Sequence, residues 1–169
     1  MNVVVITGAP GVGKSTLLPV LSQRCPGKHA WVDGDDVVRT RPTDRDIDRL
    51  DLVQSNIASL ADNFAAWGAE VFFAAWVFPS QERIERMTCL LRSAGHRVMV
   101  VGLIADGRVL AARNGGEGGA PPEYINEAAG CNEGVKRLKG VCRVDTTGLT
   151  VEQVADAVLA LSADAANFS

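Results

Sequence analysis

A chain of 169 residues fits one globular domain, and 47% hydrophobic against 22% charged residues supplies a core and excludes a disordered polymer. A net charge of −3, with 17 Lys and Arg scattered among 20 Asp and Glu, excludes a duplex-binding surface, which needs clustered cations. No apolar run reaches membrane-spanning length and no signal peptide precedes Val3, so a soluble cytoplasmic protein with no membrane or nucleic-acid partner is expected.

Val3-Val4-Val5-Ile6 is a continuous β-branched run, as in a parallel strand buried on both faces. Gly8-Ala9-Pro10-Gly11-Val12-Gly13-Lys14-Ser15 follows, and Lys14 to Arg24 reads as a helix closed by Cys25-Pro26-Gly27. His29 to Val32 is a second short strand that runs into Asp33-Gly34-Asp35-Asp36. After a loop from Thr40 to Asp44, Thr43 can cap a helix with Asp44 and Asp46 near its positive end. Leu50, Val53, Ile57, Leu60, Ala61 and Phe64 form its apolar stripe, and Gly68 closes it. Val71 to Phe78 is an apolar third strand, expected to be central, and Gln81 to Ser93 a third helix. His96 to Ile104 is the fourth strand. A short helix from Val109 to Arg113 leads into a glycine-rich segment, 114–120, whose place inside one domain reads as a lid. Glu123 to Leu138 is helical, Val141 to Val144 is the fifth strand, and Thr150-Val151-Glu152-Gln153 is a capping box opening the last helix. The tail after Leu161 is expected to fray.

Strands and helices alternate throughout, so parallel strands with right-handed crossovers are expected. The domain covers 1–169, with a short lid around 106–123. The four cysteines, Cys25, Cys89, Cys131 and Cys142, show no metal-ligand spacing and read as ordinary buried or surface thiols.

G-x-x-x-x-G-K-S between a strand and a helix is the Walker A pattern in its required context. Gly8, Gly11 and Gly13 let backbone N–H groups turn inward around an anion, with Ala9, Pro10 and Val12 completing the loop. The helix N-terminus adds partial positive charge. Lys14 can reach the β- and γ-phosphates, Ser15 can place its hydroxyl on Mg²⁺, and Thr16 donates nearby. Only four residues of the chain are Lys, and one stands here.

The phosphate's fate must be read elsewhere. A guanine-specifying N-K-x-D is absent. The D-x-x-G at Asp145 to Gly148 lies too near the C-terminus for a switch loop and reads as a turn. A remodelling ATPase usually carries an acidic pair after a central apolar strand, but Ala74-Ala75-Trp76-Val77-Phe78-Pro79 has no acid. Asp33 and Asp35 instead flank Gly34 at the end of the second strand, at the rim where open parallel sheets bind ligands. One carboxylate can hold Mg²⁺. The other can take the proton of an acceptor hydroxyl as it attacks the γ-phosphate. The competing role for this acidic turn is to cap a following helix, above all for Asp36.

V-V-I-T-G-A-P-G-V-G-K-S-T-L followed by W-V-D-G-D-D-V resembles the small P-loop kinases of the shikimate, gluconate and adenylylsulfate kinase group, relatives of the nucleoside monophosphate kinases. The resemblance implies a three-layer α/β P-loop fold, with a five-stranded parallel sheet in the order 2-3-1-4-5 and helices on both faces. It implies Asp33 near Mg²⁺, Asp35 near the acceptor hydroxyl, and adenine contacts from the loop after the fifth strand, at Asp145 to Leu149 with Thr147 and Gly148. It also covers an Arg-bearing lid, with Arg113 as the first lid arginine. Where the group places a second arginine about four residues later, this chain has Glu117, unless Arg108 contributes. Its acceptor-binding motifs are not recognisable here, so the substrate is not carried over.

Three groups of acceptor-side candidates remain. Arg39, four residues after Asp35, can bind an anionic acceptor group or form an intrahelical ion pair. Trp76 and Phe78 can wall an acceptor pocket or simply pack the core. Tyr124 and Asn126 are weaker candidates of the same kind. Arg113, on a glycine-flanked lid, can neutralise charge on transferring phosphates or stand as a surface arginine. The expected function is ATP- and Mg²⁺-dependent phosphoryl transfer to a hydroxyl of a small molecule, by a monomer or homodimer. Lys14, Asp35 and Arg113 would be catalytic, Ser15 and Asp33 would hold the metal, and Asp35, Arg39 and Trp76 would meet the acceptor. One alternative is a nucleoside monophosphate kinase, for which Arg39, Arg41 and Arg83 are the available arginines. Another is a regulatory nucleotide-binding ATPase, which would not need Asp35.

Overall fold

The structure, a computed structural model, describes residues 1–40, 47–78, 80–115 and 120–168. Five strands, β1 (Asn2–Gly8), β2 (His29–Asp33), β3 (Val71–Trp76), β4 (Arg97–Ile104) and β5 (Cys142–Asp145), form one sheet in the order β2-β3-β1-β4-β5. All pairings are parallel. Six helices complete the described chain: α1 (Lys14–Arg24), α2 (Ile47–Ala66), α3 (Gln81–Ser93), α4 (Gly107–Asn114), α5 (Pro122–Arg137) and α6 (Val151–Ala163).

The β-branched run of β1 sits at the sheet's centre and is buried on both faces. Val4 and Ile6 join a core with Leu17 and Leu21 of α1 and Val154 and Val158 of α6. Val3 and Val5, alternating to the other side, meet Val53 and Ile57 of α2 and Ile84, Met87 and Leu91 of α3. The whole expected stripe of α2 lies in or against that second core, and Gly68 ends the segment at φ +90°. The capping box of α6 forms as its sequence dictates: Thr150 Oγ1 accepts from Gln153 N–H at 3.3 Å, and Gln153 Oε1 accepts from Thr150 N–H at 2.9 Å.

Two expectations are corrected. β3 ends at Trp76 rather than Phe78, because the Thr7 hydroxyl takes over both backbone groups of Phe78. It accepts from the N–H at 2.9 Å and donates to the C=O at 3.2 Å. The tail beyond Leu161 does not fray. A short turn of 3₁₀-helix (Ala165–Asn167) folds back, Arg97 donates to Ala165 O at 2.9 Å, and Phe168, only 7% exposed, closes the first core. The Thr43 cap with Asp44 and Asp46, Arg41, Pro79 and Glu117 lie outside the described residues.

Candidate active site

Because all five strands run the same way, the segments after Gly8, Asp33, Trp76, Ile104 and Asp145 emerge on one rim. The phosphate loop is the first of these. Gly11 and Gly13 hold φ of +76° and +110°, a left-handed conformation that disfavours any side chain. Gly13 caps α1 without a side-chain hydrogen bond, which leaves the positive helix end for a bound anion. Lys14 Nζ donates to the carbonyls of Gly8, at 2.9 Å, and Ala9, at 3.1 Å. Burial pushes its ammonium down to about 8, against the opposing pull of the Asp33 and Asp35 charges.

The acidic turn adjoins this loop. Ser15 Oγ donates to Asp33 Oδ2 at 2.6 Å, and Asp33 Oδ1 accepts the Asp35 N–H at 3.1 Å. Gly34 N–H donates to Ala75 O at 2.8 Å, extending the β2–β3 ladder by one residue. A hydroxyl and a carboxylate converging in this way suit Mg²⁺, which takes one or two protein oxygens and fills the rest with water and phosphate oxygens. No cluster of three or more His, Cys, Asp or Glu able to cage a metal exists among the described residues. Asp35 is engaged from the neighbouring strand: Trp76 Nε1–H donates to its Oδ1 at 3.2 Å.

Arg39 falls elsewhere than expected. The residues after Asp33 form a turn, closed by Asp36 N–H to Asp33 O at 3.0 Å, and no helix follows before residue 40. Helical four-residue spacing therefore does not apply. The Arg39 side chain is 80% exposed and pairs with Asp36 at 2.6 Å, away from both cavities described below.

The helix that leads into the glycine-rich segment, α4, is docked on the domain. Asp106 caps α4 through the N–H groups of Arg108 and Val109, and Leu110 is buried in the first core. Asn132 of α5 holds Ala105 by a reciprocal pair of hydrogen bonds, at 3.1 and 2.9 Å. The last two residues of α4 then clasp the phosphate loop from outside. Arg113 donates to Val12 O at 3.3 Å and to Thr146, at its Oγ1 (3.0 Å) and its O (3.1 Å). Asn114 donates to Pro10 O at 3.2 Å and lies so close to Gly11 that a Cβ there would fall 2.2 Å from Asn114 Oδ1. The D-T-T-G segment is a turn, as read: Asp145 Oδ1 accepts the Thr147 N–H at 2.9 Å.

Two cavities meet at the phosphate loop. One, of about 320 Å³, runs between Gly11, Val12, Gly13 and Thr16 and the loop after β5, with Arg113, Thr146, Leu149 and Val151 in its wall. Thr147 and Gly148 lie between the two lining residues of that loop, while Thr147 Oγ1 accepts the Asp106 N–H at 2.8 Å. The second, of about 470 Å³, is lined by Pro10, Gly11, Lys14, Ser15, Asp33, Asp35, Trp76 and Val77, and by Arg49, Leu50, Arg83, Tyr124 and Glu127. Trp76, 8% exposed, serves both core and cavity. Asn126 is exposed and off the wall.

Arg49, Glu127 and Asn114 were missed in the sequence. Glu127 had a signal, standing one helical step beyond Tyr124 on the same face. Arg49 had one too: it stands four residues before Val53, a cation that continues the face of the α2 stripe. Asn114 is a helix-end residue whose contact with Gly11 only the tertiary fold reveals.

The family model described as an AAA domain (AAA_33) matches residues 3–129. No curated protein matches the sequence. Among solved structures, the chain is similar to the Mycobacterium tuberculosis APS kinase CysC in complex with AMPPNP and APS, at TM-score 0.75 and 17% identity, covering 96% of this chain and 98% of that one. It is similar to a gluconokinase from Sinorhizobium meliloti 1021, at TM-score 0.71, 16% identity and 94% and 90% coverage. It is also similar to a Deinococcus radiodurans tunicamycin resistance protein, at TM-score 0.68, 20% identity and 95% coverage of both. At such identities these likenesses speak to the fold. The match over residues 3–129, on a parallel sheet ordered 2-3-1-4-5 with its phosphate loop at the rim, places the chain in the AAA_33 family, with the fold of the small-molecule P-loop kinases.

Proposed function

We propose that the protein is a kinase that moves the γ-phosphoryl group of ATP to a hydroxyl of a small molecule. One observation carries this reading: the phosphate loop stands between two cavities that share Gly11. Hydrolysis needs one chamber and a water; transfer needs a second chamber for the acceptor. Asp35 stands in that second chamber.

ATP occupies the cavity beside the β5–α6 loop, its base near Thr146 to Leu149 and its phosphates on the N–H groups of residues 9–16. Arg113 stays on this nucleotide side. Mg²⁺, held by Ser15 and Asp33, would neutralise charge on the β- and γ-phosphates. Lys14 leaves the Gly8 and Ala9 carbonyls for the γ-phosphate oxygens. The acceptor oxygen forms a bond to the γ-phosphorus, the bond from that phosphorus to the β,γ-bridging oxygen breaks, and ADP departs. Asp35 orients the attacking hydroxyl and takes its proton. The enzyme would work in the cytoplasm, as a monomer or homodimer.

A second reading, nucleoside monophosphate kinase, is favoured by Arg49 and Arg83 in the acceptor wall, since an acceptor phosphate calls for guanidinium partners. ADP release across sugars, hydroxy acids, nucleosides, nucleoside monophosphates and hydroxyl-bearing antibiotics tests both. A hydroxyl acceptor that raises turnover well above basal ATP hydrolysis supports the first, and a monophosphate supports the second. No stimulation by any of them contradicts both.

A further inference from the structure

We propose that Trp76 is a positioning residue, whose indole N–H fixes the orientation of the Asp35 carboxylate for phosphoryl transfer. The inference rests on Asp35 as the proton acceptor and adds the device that aims it. Trp76 closes β3, paired in register with Thr7 of β1. Its ring meets Phe78 edge-on, with centroids 5.4 Å apart. The strand pairing fixes the backbone of Trp76 and Phe78 braces its ring before the indole meets the acidic turn.

Its one polar atom has one described partner, Asp35 Oδ1 at 3.2 Å. That bond leaves Oδ2 for the acceptor hydroxyl. Asp35 is also tied through its N–H to Asp33 Oδ1, and Asp33 through its Oδ2 to Ser15. Trp76 thus ends a chain that relates the base to the metal-side carboxylate and the phosphate loop. Gly34 makes this possible. Its φ is not left-handed, so backbone freedom does not explain a glycine there. Space does: a Cβ at position 34 would fall 2.6 Å from Cγ and Cδ1 of Trp76. The D-G-D turn carries glycine so that the indole can lie across it and reach the second aspartate.

The test has two arms. In the first, the indole N–H resonance of Trp76 is followed by ¹⁵N–¹H NMR, distinguished from those of Trp31 and Trp67 by sequential assignment. Asp35→Asn should move the Trp76 resonance and leave the other two in place. An unmoved Trp76 resonance overturns the proposal, whatever the enzyme's activity. In the second, Trp76→Phe, which keeps the aromatic mass, should lower kcat about tenfold, as loss of a hydrogen bond to a charged group does, with KM for ATP within twofold. In an Asp35→Asn background the same substitution should cost nothing further. Equal losses in both backgrounds would mean a merely structural role and overturn the proposal. If no acceptor supports transfer, the kinase reading falls and the indole resonance alone decides whether Trp76 holds Asp35.

Discussion

Around the first cavity the phosphate loop is tied to its neighbours through backbone atoms: Arg113 binds Val12 O and Thr146 O, and Asn114 binds Pro10 O, while Leu17 of α1, Leu103 of β4 and Val151 and Val154 of α6 complete the wall. Around the second cavity, the proposed acceptor site, the phosphate loop meets side chains from five further elements, with Asp35 after β2, Arg49 from α2, Trp76 from β3, Arg83 from α3 and Tyr124 and Glu127 from α5. Backbone N–H groups that cradle an anion tolerate change in most of the side chains beside them. A site made of side chains can be rewritten one residue at a time. On the proposed reading, the first half would specify a donor and the second would be where acceptor choice resides.

The strongest way to break the donor half is Lys14→Ala. Transfer should fall by about 10³ or more, in line with the loss of a preorganised charge at the transferring phosphoryl group. The thermal shift given by saturating nucleotide, worth about 2.7 kcal/mol at a hundredfold excess over Kd, should vanish. If the shift persists, Lys14 is not a phosphate ligand. Asp35→Asn should break the acceptor half alone, cutting transfer by about 10² while the nucleotide thermal shift stays whole. Equal loss of ATP affinity would contradict that division.

The third effect is smaller and belongs to the donor half. Lys14 is held near 8, below its ordinary 10.5, so it is charged below pH 8 and loses its proton above it. Phosphate binds the charged form, so the Kd for ATP should be flat below pH 8 and rise by up to tenfold per pH unit above it. The nucleotide-free protein should change in the opposite sense. Between pH 8 and 10.5 the unfolded chain binds more protons at this residue than the folded one, so its contribution to stability rises with pH. Lys14→Met should remove that rise in urea denaturation series. The smallest effect is the sharpest check on the acceptor wall. Arg39→Ala should change kcat and KM for any acceptor by less than twofold, because the side chain is solvent-exposed and pairs only with Asp36 among the described residues. A large rise in acceptor KM would bring Arg39 back into the site.

The same contrast explains what could be read before folding. The phosphate loop, the D-G-D turn and the α6 capping box are local: each works through neighbours within a few positions, so residue type and spacing carry the chemistry. Parallel pairing follows from the alternating elements, and the sheet order is what the resemblance carried by the motifs implies. Thr7 taking the place of a ladder partner for Phe78 joins residues 71 positions apart, and no local pattern announces it. Arg39 misled because helical spacing was applied to a segment that the acidic turn keeps from being a helix. Asn114 touching Gly11, and Arg49 sharing a cavity wall with Asp35, arise only once helices dock on the sheet.

Phe168 has a consequence for how the chain folds. It seals the same core that holds Val4, so residues more than 160 positions apart must find each other before that core is dry. β1 likewise waits for β3 and β4, its two neighbours in the sheet. Closing such distant contacts is slow, and it leaves apolar surface exposed meanwhile. During synthesis the face of β1 beneath α1 and α6 stays incomplete until α6 and the turn after it leave the ribosome. The core beneath the phosphate loop therefore closes only once α6 and the turn after it have docked.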